Sequence, residues 1–219
     1  MPDQSQPLTW RASGVPVSTR FDDPYYSLEN GLEETRHVFV TGNGLPARAR
    51  PGFQIAELGF GTGLNLLATA DALAASPGPI RFTSFEAFPL APADMERALA
   101  AFPALDAAPL LAAWGRGART FTLGPLQVEI IEGDARNTLP RWSGRADAWY
   151  LDGFAPAKNP ELWSAALMAE IARHTAPGGS FATYTAAGHV RRALAAAGFT
   201  VTRVPGYGRK RHMSTGRLA

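Results

Sequence analysis

Nine residues, Glu57-Leu58-Gly59-Phe60-Gly61-Thr62-Gly63-Leu64-Asn65, set three glycines at alternate positions between an acid and an amide. Glycines at this spacing let the backbone take positive φ and approach a ligand closely, although a plain tight turn uses the same residues. The pattern is G-x-G-x-G; it is neither the G-x-G-x-x-G dinucleotide fingerprint nor a P-loop, because no Gly-Lys-Ser/Thr follows. Phosphate binding is therefore disfavoured. The charge of Glu57 would repel a pyrophosphate but suits the ammonium and sulfonium groups of S-adenosylmethionine. Glu86 stands 23 residues after Gly63 and can accept hydrogen bonds from both hydroxyls of a ribose. Gly133-Asp134-Ala135 adds a carboxylate to which an adenine amino group could donate; taken singly, Asp134 also reads as a helix cap. Glu57, Gly59, Gly61, Gly63, Asn65, Glu86 and Asp134 together form a candidate site for S-adenosylmethionine. An NAD-dependent oxidoreductase would also use Glu86 on a ribose, but the glycine spacing argues against it.

A second loop, Tyr150-Leu151-Asp152-Gly153-Phe154-Ala155-Pro156-Ala157-Lys158-Asn159-Pro160, holds a carboxylate and an aromatic ring two residues apart. An amine that takes up a methyl group must lose a proton, and a nearby carboxylate can hold the amine in line and accept that proton. Asp152 is assigned this catalytic role, and Phe154 the packing of a ring against a substrate base. A turn or N-cap aspartate is the plainer reading of Asp152. Lys158 and Asn159 divide between substrate contact and loop structure. The sequence contains no cysteine, which removes disulfides, thiolate metal sites and every mechanism needing a sulfur nucleophile. His37, His174, His189 and His212 form no i, i+4 pair, so no metal site is expected.

Alternating strands and helices position these loops. Phe53–Leu58 is an apolar run ending at Gly59, Leu64–Ala75 a helix closed by Ser76-Pro77-Gly78, and Arg81–Phe85 the next strand. A helix begins near Pro92-Ala93-Asp94. Arg119–Leu123 and Leu126–Ile131 meet across Gly124-Pro125 as a hairpin arm. Ala146–Leu151 is a buried strand, Pro160–Thr175 an amphipathic helix stopped by Pro177-Gly178-Gly179, and Ser180–Thr185 a strand. Gly188–Ala197 is a helix ended by Gly198, and Phe199–Val204 with Met213–Leu218 a closing hairpin. The alternation predicts an α/β, Rossmann-like fold whose ligands lie beyond the carboxyl ends of the strands.

With 219 residues, 46% of them apolar, one large domain is expected over 1–219. No apolar run reaches the roughly 18 residues of a membrane span, and the N-terminus lacks the order of a signal peptide, so a cytoplasmic protein is expected. The net charge is only +2, yet the last 30 residues hold six arginines and a lysine with no acid. Within them, Gly206-Tyr207-Gly208-Arg209-Lys210-Arg211 suits phosphate contact, and equally a solvated turn. Arg191 and Arg192 open a helix, where positive charge opposes the dipole and an anionic partner would offset the cost.

Six segments carry a resemblance: Phe21-Asp22-Asp23-Pro24-Tyr25-Tyr26, Asn30-Gly31-Leu32-Glu33-Glu34-Thr35-Arg36, the Gly59–Asn65 loop, Ser84-Phe85-Glu86-Ala87-Phe88-Pro89-Leu90, Asp152–Pro160 and Gly206–Arg211. On these the chain resembles the methyltransferase domain of the MnmC family of bifunctional bacterial tRNA-modification enzymes. Asp-Gly-Phe-Ala-Pro resembles the Asn/Asp-Pro-Pro-Tyr/Phe loop of amino-group methyltransferases, which lies beside the transferable methyl group. The resemblance implies a class I fold with a mostly parallel, seven-stranded sheet. It implies methyl transfer from S-adenosylmethionine to the amine of 5-aminomethyl-2-thiouridine at the tRNA wobble position, giving 5-methylaminomethyl-2-thiouridine. Residues 1–50 become a lid on a 51–219 core, with Asn30 or Glu33 reaching the methionine ammonium and Tyr26 lining the pocket. Arg209, Lys210 and Arg211 become tRNA contacts. The family's bifunctional members carry an FAD-dependent oxidoreductase domain that unmasks the amine, so a separate or fused oxidoreductase is an expected partner. An amine methyltransferase of the same fold acting on a small molecule or protein, and a tRNA-binding module without catalysis, are the alternatives.

Overall fold

The computed structural model describes residues 8–27 and 29–219; the first seven residues of the expected 1–50 lid, and Leu28, lie outside the described residues. Three short strands, β1 (Leu8–Trp10), β2 (Pro16–Ser18) and β3 (Asp23–Pro24), form an antiparallel sheet of their own. Sequence reading gave no sign of it, because two- and three-residue strands are too short to show alternation. Helix α1 (Gly31–Thr35) follows, capped by Asn30, whose Oδ1 accepts from the Glu33 amide at 3.1 Å. A π-helical turn (Arg36–Val40) and a 3₁₀ turn (Thr41–Asn43) complete this segment.

The main sheet begins with β4 (Gln54–Leu58), buried at every position, as a central parallel strand must be. Then come α2 (Leu64–Ala72), β5 (Ile80–Glu86), α3 (Pro92–Leu99) with proline in its first turn, α4 (Ala108–Gly115), β6 (Thr120–Leu123) and β7 (Leu126–Glu132). A one-turn helix α5 (Ala135–Thr138) leads to β8 (Ala146–Leu151), α6 (Ala165–Arg173), β9 (Thr175–Thr183), α7 (Gly188–Ala196), β10 (Phe199–Pro205) and β11 (His212–Leu218).

The strand order is β10-β11-β9-β8-β4-β5-β7-β6, parallel from β9 through β7 and antiparallel at β6, β10 and β11. Eight strands replace the expected seven, because the β6 arm pairs along β7 over four residues and joins the same sheet. The helix expected over 160–175 is also corrected. Pro160–Trp163 is a 3₁₀ turn, Ser164 is extended at ψ 150°, and the α-helix starts at Ala165. The strand expected from Ser180 begins at Thr175, with Pro177-Gly178-Gly179 bulging out between the pairs Ala146–Thr175 and Ala148–Ser180. Helix α4 was not expected; its N-cap is Ala107, and Asp106 Oδ1 accepts from the Ala108 amide at 3.2 Å.

Side chains alternate across the sheet into two cores. Ile55, Phe82 and Tyr150 face α2 and the buried Val38, Phe39 and Val40. Leu58, Phe85 and Trp149 face α6 and α7. Two polar side chains fasten the N-terminal segment to the sheet. Asn43, 1% exposed, donates from Nδ2 to the carbonyls of Phe39 at 3.1 Å and Trp149 at 3.2 Å and accepts from Ser180 Oγ at 2.6 Å. Arg48 donates to the carbonyls of Asn43 and Asp147 at 2.8 and 3.0 Å. Replacing Asn43 by leucine strips a donor from two buried carbonyls; urea denaturation should show a loss of about 2–3 kcal/mol with an unchanged m-value.

Candidate active site

Going outward from β4, the chain fills one side with β5 and β7 and the other with β8 and β9, so the strand order reverses between β4 and β8. A crevice opens there, at the carboxyl ends of the strands. Both loops singled out from the sequence meet in it: a Cβ on Gly59 would lie 3.4 Å from the Gly153 Cα. Gly63 begins α2 at φ +79°, and a Cβ there would stand 2.7 Å from Leu110 Cδ2. Gly153, at φ +123°, would drive a Cβ into Leu162. Neither position accepts a side chain. The crevice is a cavity of about 560 Å³.

Three carboxylates are arranged behind and along it. Glu86 is buried; its Oε2 accepts from the Gly61 amide at 2.8 Å and its Oε1 from the Phe88 amide at 2.7 Å. Glu57 is fully buried and accepts from Asn65 Nδ2 at 2.8 Å and Ser84 Oγ at 2.7 Å. Asp152 is partly buried, accepting from Asn65 Nδ2 at 2.7 Å on Oδ2 and from the Gly153 amide at 2.8 Å on Oδ1. Burial raises all three acids, against the pull of these donors: Glu57 strongly, Glu86 too, and Asp152 up to about 6.

The N-terminal segment and the β10–β11 loop wall the opening. Phe21 stacks on Phe154 with ring centroids 4.7 Å apart, and Tyr25 meets Phe154 edge-on at 5.1 Å. Asp23 accepts from the Ala155 amide at 2.8 Å. Tyr26 donates to the Ala98 carbonyl at 3.2 Å, and burial pushes its hydroxyl up to about 12, so it stays a phenol. Lys210 Nζ pairs with Glu34 at 2.7 Å and lies 4.2 Å from the centre of the Tyr184 ring. Arg209 pairs with Glu29 at 2.7 Å.

Of the residues singled out from the sequence, Tyr26, Gly59, Gly61, Asn65, Glu86, Asp134, Asp152, Phe154, Arg209 and Lys210 line the cavity. Asn30, Glu57, Gly63, Lys158 and Arg211 do not. Asn30 spends its side chain on capping α1. Glu57 points from β4 into the core beneath Asn65, so it meets no ligand cation directly. Gly63 packs on Leu110, and Lys158 reaches outward to Asp22 at 2.6 Å. Asp134 both lines the cavity and caps α5, and the Arg136 guanidinium bonded to it holds its carboxyl below the usual range. Phe21, Tyr25, Glu34 and Tyr184 were missed. The position of Tyr184 just past the end of a parallel strand was a usable signal.

Acidic side chains outnumber basic ones around the cavity, seven to four. That balance disfavours a polyphosphate and fits an adenosine-bearing cation. Glu86, held by the Gly61 and Phe88 amides, lies on the cavity wall where a carboxylate can accept from ribose hydroxyls.

A family model described as S-adenosyl-L-methionine-dependent methyltransferase matches residues 107–219. The chain belongs to that methyltransferase family. S-adenosylmethionine is accordingly the methyltransferase's cofactor. Its sequence is 47% identical to the tRNA 5-methylaminomethyl-2-thiouridine biosynthesis bifunctional protein MnmC of Chromobacterium violaceum, over 97% of this chain and 34% of that protein. The protein of the same name from Pseudomonas paraeruginosa is 46% identical, over 97% of this chain and 35% of the relative. The methyltransferase thus spans about a third of the length of the curated relatives it matches. The crystal structure of MNMC2 from Aquifex aeolicus superimposes with a TM-score of 0.75 at 26% identity, covering 99% of this chain and 72% of that one.

The raised acids make stability depend on pH with a definite sign. Folding lifts Glu57, Glu86 and Asp152 above their unfolded values, so the folded state holds more protons, and stability falls as pH rises from the ordinary carboxylate range through the raised values. Glu57→Gln removes one such acid at constant shape. Denaturation at pH 5 and pH 8 should give a smaller loss of stability between the two for Glu57→Gln than for the parent; an equal loss would mean that Glu57 is ionised throughout.

Proposed function

We propose that this methyltransferase transfers a methyl group from S-adenosylmethionine to the amine of 5-aminomethyl-2-thiouridine at the tRNA wobble position, forming 5-methylaminomethyl-2-thiouridine. The observation that carries the reading is Asp152: a carboxylate with both oxygens tethered, facing the crevice at the switch point, and raised to about 6 by burial. The MnmC relatives are named for tRNA 5-methylaminomethyl-2-thiouridine biosynthesis, and methyl transfer to the corresponding primary amine yields that product.

S-adenosylmethionine supplies an electrophilic methyl group on a sulfonium. Of the residues that line the cavity, Gly59 and Gly61 would let the cofactor approach the backbone closely, Glu86 would accept from its ribose hydroxyls, and Asp134 would accept from its adenine amino group. At neutral pH Asp152 is mostly ionised and still basic enough to take a proton. One of its oxygens accepts a hydrogen bond from the substrate amine, aims the nitrogen lone pair at the methyl group, and receives the proton the nitrogen gives up. Phe154, backed by Phe21, offers an aromatic wall to the base.

Transfer RNA is the partner in this reading. The β10–β11 loop lies at the same sheet edge as the crevice, since Ser214 near the start of β11 pairs with Thr183 at the end of β9, and α7 with Arg191 and Arg192 begins there too. Arg209 and Lys210 would exchange their carboxylate partners for phosphates, and exposed Arg211 would add a third contact. Residues 1–50 serve as a lid on the 51–219 domain, the enzyme works in the cytoplasm, and an FAD-dependent oxidoreductase, separate or fused, delivers the amine. No helix among the described residues is long and apolar enough to cross a membrane.

Purified protein given labelled S-adenosylmethionine and tRNA lacking this methylation should place label in 5-methylaminomethyl-2-thiouridine. Asp152→Ala should lower the rate by about 100-fold or more while still binding the cofactor. Cofactor binding without labelled tRNA would move the search to small-molecule or protein amines. Arg211→Ala should weaken tRNA binding and reduce the magnitude of its log–log salt slope by about 1; an unchanged slope would take Arg211 off the tRNA surface.

A further inference from the structure

One side chain in the crevice has more to do than line it. The amide of Asn65, in the first turn of α2, gives one hydrogen to Glu57 Oε1 at 2.8 Å and the other to Asp152 Oδ2 at 2.7 Å. Its carbonyl oxygen accepts from Thr35 Oγ1 at 3.0 Å. Both amide hydrogens are thereby committed to carboxylates of this chain, leaving none for a ligand.

The amide is held on three sides, and the carboxyl groups on one of them decide which end faces them. Ser84 donates to the other oxygen of Glu57 at 2.7 Å, and the buried Glu57 presents an acceptor to the NH₂ group. Thr35, buried on α1, donates to the carbonyl end. A flipped amide would set its oxygen against the Asp152 carboxylate and give up both NH₂ hydrogen bonds, whereas the Thr35 hydroxyl, able to donate or accept, takes either end. The Asp152 carboxylate is in turn held at both oxygens, by Asn65 and by the Gly153 amide, and each oxygen keeps a lone pair.

We infer that Asn65 is a positioning residue for methyl transfer: locked by Glu57 and Thr35, it holds the Asp152 carboxylate in the rotamer that receives the substrate proton. The inference rests on the assignment of Asp152 as the proton acceptor. Asn65 also sets when Asp152 is charged. Its donated hydrogen bond favours the carboxylate and works against burial; Lys210 acts in the same sense and Glu34 in the opposite one. Both the geometry of the acceptor and its proton affinity therefore depend on one neutral amide. An aspartate at position 65 would keep the shape but crowd a third carboxylate against the other two, which amounts to a different site.

The test is a side-chain ¹³C titration of Asp152 in the free protein, with its resonance assigned by its absence in Asp152→Asn, together with the pH profile of kcat. Removing a charge-assisted donor in Asn65→Ala should shift the Asp152 midpoint, and the acid limb of kcat with it, upward by about one pH unit. Thr35→Val, which frees the amide to turn without removing it, should shift both in the same direction by less. This second variant decides the matter if Asn65→Ala does not fold. Midpoints and profiles matching the parent in a folded variant would overturn the inference and leave Asn65 a structural contact. Full turnover by Asp152→Asn would strike the proton-acceptor assignment instead, because that variant keeps the amide and removes only the charge.

Discussion

Two carboxylates, Glu57 and Asp152, stand at the ends of adjacent parallel strands within reach of one amide. Carboxyl groups buried in such a place cost several kcal/mol each as anions unless donors, or a retained proton, compensate them. The available donors are few: Asn65 shared between them, Ser84 on β5 and the Gly153 amide. This requirement ties the first turn of α2 to the strand ends, and it accounts for the glycines on either side. The chain must reverse from β4 into α2 tightly enough for Asn65 to lie over Glu57, and the Asp152 loop must approach within van der Waals contact of the turn. A side chain at Gly63 or Gly153 would push apart the partners that the carboxylates need.

The sheet supplies the floor of the site, and elements far away in sequence supply its walls. Phe21, Tyr25 and Glu34 arrive from the N-terminal segment, anchored by buried contacts such as Phe39 against Tyr150 and Asn43 against the sheet backbone. Lys210 and Arg209 arrive from the β10–β11 loop. The floor is held by a close-packed core and ladder hydrogen bonds. The walls meet one another through ion pairs: Arg209 with Glu29 is exposed and contributes at most about 1 kcal/mol, while Lys210 reaches the buried Glu34. A polyanion can replace Glu29 as the partner of Arg209 without disturbing the sheet.

The parallel core was legible because its strands are short β-rich segments with apolar residues at most buried positions, and its turns are written in glycine, proline and acids. Glu86 and Asp152 fall at strand ends, where position alone gave them meaning. What could not be read was orientation. Glu57 follows Ile55 by two and so faces the same layer, but only α2 packed above it shows that it is sealed in the core and out of reach of a ligand. Asn30–Arg36 reads as a capped surface helix, and Asn30 is indeed its cap; that Glu34 and Thr35 turn inward depends on contacts from α2 and β11's loop. The three-residue strands and the break at Ser164 carry too few residues for periodicity to register. Helix α4 begins at Ala108 behind Asp106, which accepts from its first amide, with Pro109 in its first turn; its N-cap position itself is an alanine.

The placement of β11 has a bearing on how the molecule is made. This strand comes after β10 in sequence but lies between β10 and β9 in the sheet, so it is an interior strand and not an edge. On the ribosome the glycine turn, Asn65 and Asp152 all emerge before it, and β10 has no sheet to join until β11 slots in. The nascent chain therefore holds its acceptor carboxylate in a half-built crevice, with Lys210 and Arg209 not yet opposite Glu34 and Glu29. The walls close only when β11 takes its place between β9 and β10, so the finished site depends on a strand that follows both the glycine turn and Asp152 in the chain.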